Sequence, residues 1–219
     1  MSRRRRVRYR GGFRRAPAGV PVGPEDRCTA WFDLADGSTV LLRPIEPGDK
    51  TALAEGFARL SERTRYQRFM APMSRLTARQ AKYLTEIDQV NHFAWVAGRR
   101  DAAGTDHGLG VTRYVRLPDA PQRAEFAVVV ADDAQGIGLG RLLVEALAVV
   151  AADRGLTALE GLCFAENHAI LHLLGRLGTK VSVDSPGVLK TTTPLPARIS
   201  LGWRARRKLR RVARMAARN

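Results

Sequence analysis

The period of the apolar positions changes repeatedly along the chain, and each change marks an element. Residues 38–45, STVLLRPI, alternate as a half-buried strand does. Residues 46–70 take a helical period, with Asp49 placed to cap the first turn and a break near Ser61. A further helix covers 76–88 with Thr77 as its cap, and HFAWVAGRR at 92–100 is a strand that runs into the turn-rich DAAGTDHG. Strands at 109–117 and 123–130 are separated by PDAP. Beyond residue 139, Leu142, Leu143, Ala146, Leu147, Val150 and Ala151 form a stripe that predicts a helix packed on a sheet, stopped at Gly155. A strand at 156–164, a helix at 167–178 and two short strands within 179–193 complete the order, with no internal repeat. A chain of 219 residues arranged this way fits one α/β domain with extensions.

Between the strand ending at Val130 and the helix lies ADDAQGIGLG, with glycines at 136, 138 and 140. Helix N-termini expose unpaired N–H groups and a positive dipole end, and glycines let a bulky anion approach them, so a phosphate or diphosphate is the natural guest. The plain alternative is a flexible turn. No GxxxxGK[ST] loop is present, and the glycines stand too far from the preceding strand for a dinucleotide fingerprint, although Glu160 lies at a distance suiting a ribose-binding acid.

Charge divides the chain into three. The net charge is +16, yet residues 16–197 carry 20 basic against 21 acidic side chains. The excess sits in eight arginines within residues 1–15 and nine Lys or Arg within 198–219, neither segment holding an acid. Residues 1–30 read as a disordered tail and linker. Residues 198–219 read as a basic amphipathic helix, with Arg204, Arg207, Arg211, Arg214 and Arg218 on one side and Ala205, Leu209, Val212, Ala213 and Ala216 on the other. Both ends point to nucleic acid or an anionic surface as partner, against the alternative that they only solvate the protein. No apolar run is long enough to span a membrane and none follows the Arg-rich start as a signal peptide would require, so a soluble, cytoplasmic protein is expected. Cys28 and Cys163 stand at no metal or redox spacing, and Trp31 and Trp95 read as packing residues.

VVVADDAQGIGLGRLL resembles the acyl-CoA-binding signature of the GNAT superfamily of N-acetyltransferases, with Gln135, Gly138 and Gly140 at its fixed positions. LLRPIEPGDKTAL is similar to that family's first strand and helix, and GLCFAENHAILHLLGRLG to its later strand, Asn-containing turn and helix. The stretch from residue 42 to the YLTEID at 83–88 resembles in particular a bacterial branch that includes protein-lysine acetyltransferases. The resemblance implies an α/β (α+β) fold: a mixed, twisted sheet flanked by helices over residues 31–197, splayed to admit the cofactor. It also implies acetyl-CoA or another acyl-CoA as co-substrate, no metal, and transfer of the acyl group to a primary amine of a protein lysine or a small molecule.

Carried over position by position, Val128, Val129 and Val130 would offer backbone to the pantetheine. Gly136, Ile137, Gly138, Leu139, Gly140 and Arg141 would wrap the diphosphate, and Asn167 would hold the cofactor from the next loop. Ile137 stands where the motif often has a second cation. Glu125 occupies a strand position where some members carry the general base; otherwise it is a structural carboxylate paired with Arg123 or Arg113. Leu162 at the alternative base position cannot serve, and Leu174 replaces the tyrosine that often protonates the leaving thiolate. Tyr66, Arg68 and Phe69 fall where the family shapes its acceptor site. His168 and His172, four apart without a third ligand, read as surface or groove histidines. A second reading is an acyl-CoA-binding adaptor without turnover, tethered by the basic ends.

Overall fold

The computed structural model describes residues 13–14, 16–17, 23 and 28–218. Most of the tail expected to be disordered over residues 1–30 therefore lies outside the described residues.

Among the described residues nine strands form one mixed sheet in the order β1-β2-β3-β4-β5-β6-β7-β9-β8. They are β1 (Phe13–Arg14), β2 (Ala30–Asp33), β3 (Thr39–Pro44), β4 (His92–Arg100), β5 (Asp106–Leu117), β6 (Ala120–Val130), β7 (Ala158–Phe164), β8 (Lys180–Ser185) and β9 (Val188–Pro194). All neighbours run antiparallel except β6 and β7. The strands predicted from residue 38 onward are present. Two more precede them: Trp31 is not ahead of the first strand but inside β2, and Phe13–Arg14 adds a further edge by pairing with Trp31 and Phe32.

The helical stretch at 46–70 does break at Ser61, into α1 (Lys50–Arg59) and α2 (Glu62–Phe69). Ser61 is the physical cause. Its backbone is extended and its hydroxyl accepts from the Thr64 N–H, so one helix stops where the next is capped. Asp49 does not cap as expected: it accepts from the Glu46 N–H and binds Arg43 through two hydrogen bonds of 2.6 and 2.7 Å. Thr77 does cap α3 (Ala78–Thr85), in a reciprocal box with Gln80.

On one face of the sheet lie α1, α2 and α3; on the other, α4 (Leu139–Asp153) carries an uninterrupted buried run from Leu142 to Ala151 over β4, β5 and β6. Beside α4, over β2 and β3, lies α6 (Trp203–Ala216), and α5 (His168–Gly175) adds Leu174 to the same core. The basic C-terminal segment is thus not a separate appendage. Leu201, Ala205, Leu209, Val212 and Ala213 join the central cluster, while Arg204, Arg207, Arg210, Arg211 and Arg214 stay exposed. Its apolar stripe is already covered by α4. No helix among the described residues is long and apolar enough to cross a membrane.

Because Leu209 is fully buried, Leu209→Ala is expected to destabilise the protein by about 3 kcal/mol, through lost transfer energy and the cavity left behind. Urea unfolding measures this, and a loss below about 0.5 kcal/mol would mean that α6 does not pack as described.

Candidate functional site

The site begins where two strands part. β6 and β7 pair in parallel only at Arg123↔Ala158, Ala124↔Leu159 and Glu125↔Glu160; beyond that point β6 stays with β5 and β7 with β9. At the fork the Phe126 ring lies against Gly161, where a side chain would come within 3.1 Å of it. Past the fork a cleft of about 580 Å³ opens, walled by Val128, Val129 and Val130 on one side and by Gly161, Leu162 and Cys163 on the other. Unpaired strand edges are rare inside a domain, because each leaves N–H and C=O groups in need of partners.

The glycine segment closes one end of this cleft. Gly138 has φ 96°, a conformation that side chains disfavour, and it sits at the N-cap of α4. Among the described residues the N–H groups of Gly136, Ile137, Gly138, Leu139 and Gly140 donate to no acceptor. Five consecutive free amides at the positive end of a fifteen-residue helix form an anion cradle that a diphosphate fits. Gly140 has a second reason to lack a side chain: a Cβ there would come within 3.2 Å of Leu173 on α5.

The other predicted residues divide by what they touch. Gln135 is a clamp, donating to Val130 O at 3.2 Å and lying 3.5 Å from the Thr64 hydroxyl, so it fixes the loop to β6 and α2. Asn167 lines the cleft and caps α5 by accepting from the Ile170 N–H. Arg141 lines the cleft and binds Glu145 one turn along at 2.8 Å. Leu174 also lines it, buried and without a proton to give. His172 contacts Arg176, and no cluster of three or more His, Cys, Asp or Glu occurs among the described residues.

Glu125 lies at the last β6–β7 pair, exposed, with no hydrogen bond or ion pair among the described residues. The structural pairings considered for it are not made. Arg123 binds Glu160 instead, which Lys190 also holds at 3.2 Å, so the buried Glu160 carboxylate is committed to two cations rather than to a ribose. Arg113 donates to Leu84 O and to His92 Nε2 at 3.1 and 3.0 Å. Strand alternation puts Glu125, Arg113 and His92 on the same face, that of α1–α3, with Arg68 of α2 above them.

Two elements escaped sequence reasoning. Asp132 accepts from the Ser61 N–H, the Ser61 hydroxyl and the Thr64 hydroxyl at 2.7–2.8 Å, which ties the α1–α2 junction to the mouth of the glycine loop. These bonds hold its carboxyl below the usual range against the opposing cost of burial. Glu145, buried within α4, accepts from Arg141 and from the Ser200 N–H, the Ser200 hydroxyl and the Leu201 N–H. Both join distant parts of the chain, Asp132 reaching back about 70 residues to Ser61 and Thr64 and Glu145 forward about 55 to Ser200 and Leu201, so neither leaves a local trace.

Burial and the neighbouring Arg113 hold the His92 imidazole down to about 4, with Asp88 only partly opposing them. The group is neutral when folded and binds a proton near 6.5 when unfolded, so its contribution is complete above pH 6.5 and is lost as pH falls towards 4. Acid should therefore cost stability of roughly 2 kcal/mol from this group between pH 7 and 4.5. Urea unfolding of His92→Gln should show a flatter pH dependence in that window; an unchanged slope would assign the acid sensitivity elsewhere.

The acetyltransferase (GNAT) domain family matches residues 39–180. Acetyltransferase Pat of Mycolicibacterium smegmatis is 31% identical over 181 residues, 81% of this chain and 50% of that protein. Acetyltransferase PA5475 of Pseudomonas aeruginosa is 32% identical over 163 residues, covering 73% of this chain and 87% of that one. The GNAT domain of S. lividans PAT superposes with a TM-score of 0.71 at 26% identity, over 80% of this chain and all of that domain. The chain thus spans half the length of its M. smegmatis relative.

Proposed function

The chain belongs to the GNAT acetyltransferase family, and from that premise we propose that it transfers an acetyl group from acetyl-CoA to a primary amine, of a protein lysine or a small molecule, with Glu125 as general base. The observation that carries this reading is the row of five free amides at the start of α4, set at one end of the cleft between the parted strands. In this reading the diphosphate lies on the amides of Gly136 to Gly140 with Arg141 beside it. The pantetheine runs along the open edge of Val128–Val130, and Asn167 borders it from the α5 side. The thioester is thereby brought towards the fork, where Glu125 stands.

An amine attacks only as the free base, and in this reading Glu125 takes its proton directly or through a water; its exposure and its lack of a hydrogen bond or ion pair among the described residues support the role. The transfer needs no second acid in this arrangement: with Leu174 at the position considered for one, solvent protonates the departing thiolate. Glu125→Gln should lower kcat/KM by about a hundredfold while leaving acetyl-CoA affinity within about twofold, as expected for loss of a proton acceptor. Thiol release with a panel of amines and calorimetric binding measure the two quantities. A full-rate Glu125→Gln enzyme would remove Glu125 from the chemistry, and tight acetyl-CoA binding with no turnover on any amine would favour the adaptor reading.

The exposed face of α6 supports a further part of this reading, contact with a polyanion such as nucleic acid. Arg210 and Arg214 are drawn to Asp153, but Arg204, Arg207 and Arg211 point outward without a carboxylate partner among the described residues, beside the exposed ring of Trp203. Since the apolar side of the helix is spent on α4, phosphate contacts suit this face better than insertion into a bilayer. Deleting residues 198–219 would remove part of the core, so surface substitutions are the proper test. Arg204→Ala, Arg207→Ala and Arg211→Ala together should reduce the slope of log K against log salt for an oligonucleotide by about 2 to 3, and an unchanged slope would refute the contact.

A further inference from the structure

A second cavity adjoins the cleft on the α1–α3 side of the sheet. It is small, about 110 Å³, and enclosed mainly by apolar side chains of β3, β4 and β5 and of the helices above them, among them Leu41, Phe57, Leu84 and Val111. Arg68 and Val129 line both this cavity and the cleft, so the two spaces meet beside them.

Five ionisable groups border the cavity, and their pairing is uneven. Asp49 is held by Arg43 in a two-pronged contact, and Asp106 by Arg100 at 2.6 Å with Arg43 a further 3.9 Å away. Both carboxylates are thereby satisfied. Arg68 and Arg113 have no carboxylate partner among the described residues. Arg113, only 5% exposed, donates to Leu84 O and to a neutral imidazole, whereas Arg68 makes no hydrogen bond at all and rests only over the Phe69 ring, 4.7 Å from its centre. Burial and mutual repulsion push Arg113 down to about 9, and burial pushes Arg68 down to about 10, so both remain charged at neutral pH. Glu125 feels Arg68 through space and touches neither. Two confined cations of like sign, with Glu125 near Arg68 but in contact with neither, are unfavourably placed, and a bound carboxylate that touches both relieves both at once.

We propose that this cavity receives the acyl group of a CoA thioester whose far end is a carboxylate, a succinyl-type group, held by Arg68 and Arg113. The inference rests on the donor reading above and extends it to the acyl chain. Size agrees with it: an apolar cavity of about 150 Å³ holds benzene, so 110 Å³ suits a chain of about four carbons rather than a fatty acyl tail. The chemistry is the same aminolysis. The amine nitrogen bonds to the thioester carbonyl carbon, the C–S bond breaks, CoA leaves as thiolate to be protonated by solvent, and the nitrogen's proton passes to Glu125; the distal carboxylate is unchanged.

The test is calorimetric binding of CoA, acetyl-CoA, butyryl-CoA and succinyl-CoA to the full chain, the last two having equal chain length. Succinyl-CoA should bind about tenfold more tightly than butyryl-CoA, the size of one charge-assisted hydrogen bond. Arg68→Leu and, separately, Arg68→Gln should abolish that ratio, and Arg68→Lys should restore part of it. Equal affinity for the two four-carbon thioesters alongside normal CoA binding would overturn this inference alone, as would a ratio that survives both substitutions. Failure to bind even free CoA would overturn the donor reading and this inference with it.

Discussion

The early end of the β6–β7 pairing is the constraint on which the rest of the structure depends. Three residue pairs register between the two strands, and then each follows its other neighbour. Had the ladder continued, Val128–Val130 would be a buried sheet centre and the amides at the head of α4 would face a closed wall. The parting instead exposes one edge of β6 along the same line on which the α4 dipole points outward. Phe126, packed against the bare backbone of Gly161, occupies the fork and leaves the space beyond it open. The cleft is therefore a consequence of topology, and the glycine loop decides what charge it prefers.

Such a cleft would be of little use if its walls could move independently, and two carboxylates prevent this. Asp132 takes three hydrogen bonds from Ser61 and Thr64, which fastens the junction of α1 and α2 to the strand end just before the loop. Glu145 holds Arg141 from within α4 and, with its remaining acceptor capacity, gathers the amides of Ser200 and Leu201. The chain immediately before α6 is thus moored to the same residue that orients the cationic edge of the cradle. A buried carboxylate with several donors is costly to leave unpaired, so loosening either partner strains the other. The C-terminal helix is in this sense part of the glycine loop's scaffold.

What was legible in the sequence follows the range of the interactions involved. The glycine segment, the α4 stripe, the Ser61 break and the Thr77 cap are set by neighbours within a few residues, and each was readable from spacing alone. β2 was missed because AWFD is too short to show an alternation, and β1 because two residues show none; both exist by pairing with an edge that sequence does not display. The role of Asp49 was misjudged since its Arg43 partner lies in the preceding strand, outside the helical pattern that suggested a cap. Glu145 looks like any polar position in a helix until the chain returns 55 residues later. The grouping of Arg68, Arg113 and Glu125 takes one residue from each of three elements and has no linear signature.

The basic C-terminus shows how a periodicity can report a charged amphipathic helix and stay silent on what covers its apolar side. Cations at spacings of three and four, opposite small apolar residues, describe a surface helix equally well whether its apolar side waits for a bilayer or already rests on a domain. The sequence periodicity is identical in the two cases, because it reports which residues share a face and not what covers that face. Leu209 and Val212, fully buried against α4, settle which applies here. Once the apolar side is used, the helix has only its arginines left to offer, and Asp153 already draws two of them. The electrostatic capacity of α6 is therefore smaller than its charge count suggests, and it is fixed in direction: it faces away from α4, on the opposite side of the sheet from the cavity that Arg68 and Arg113 line.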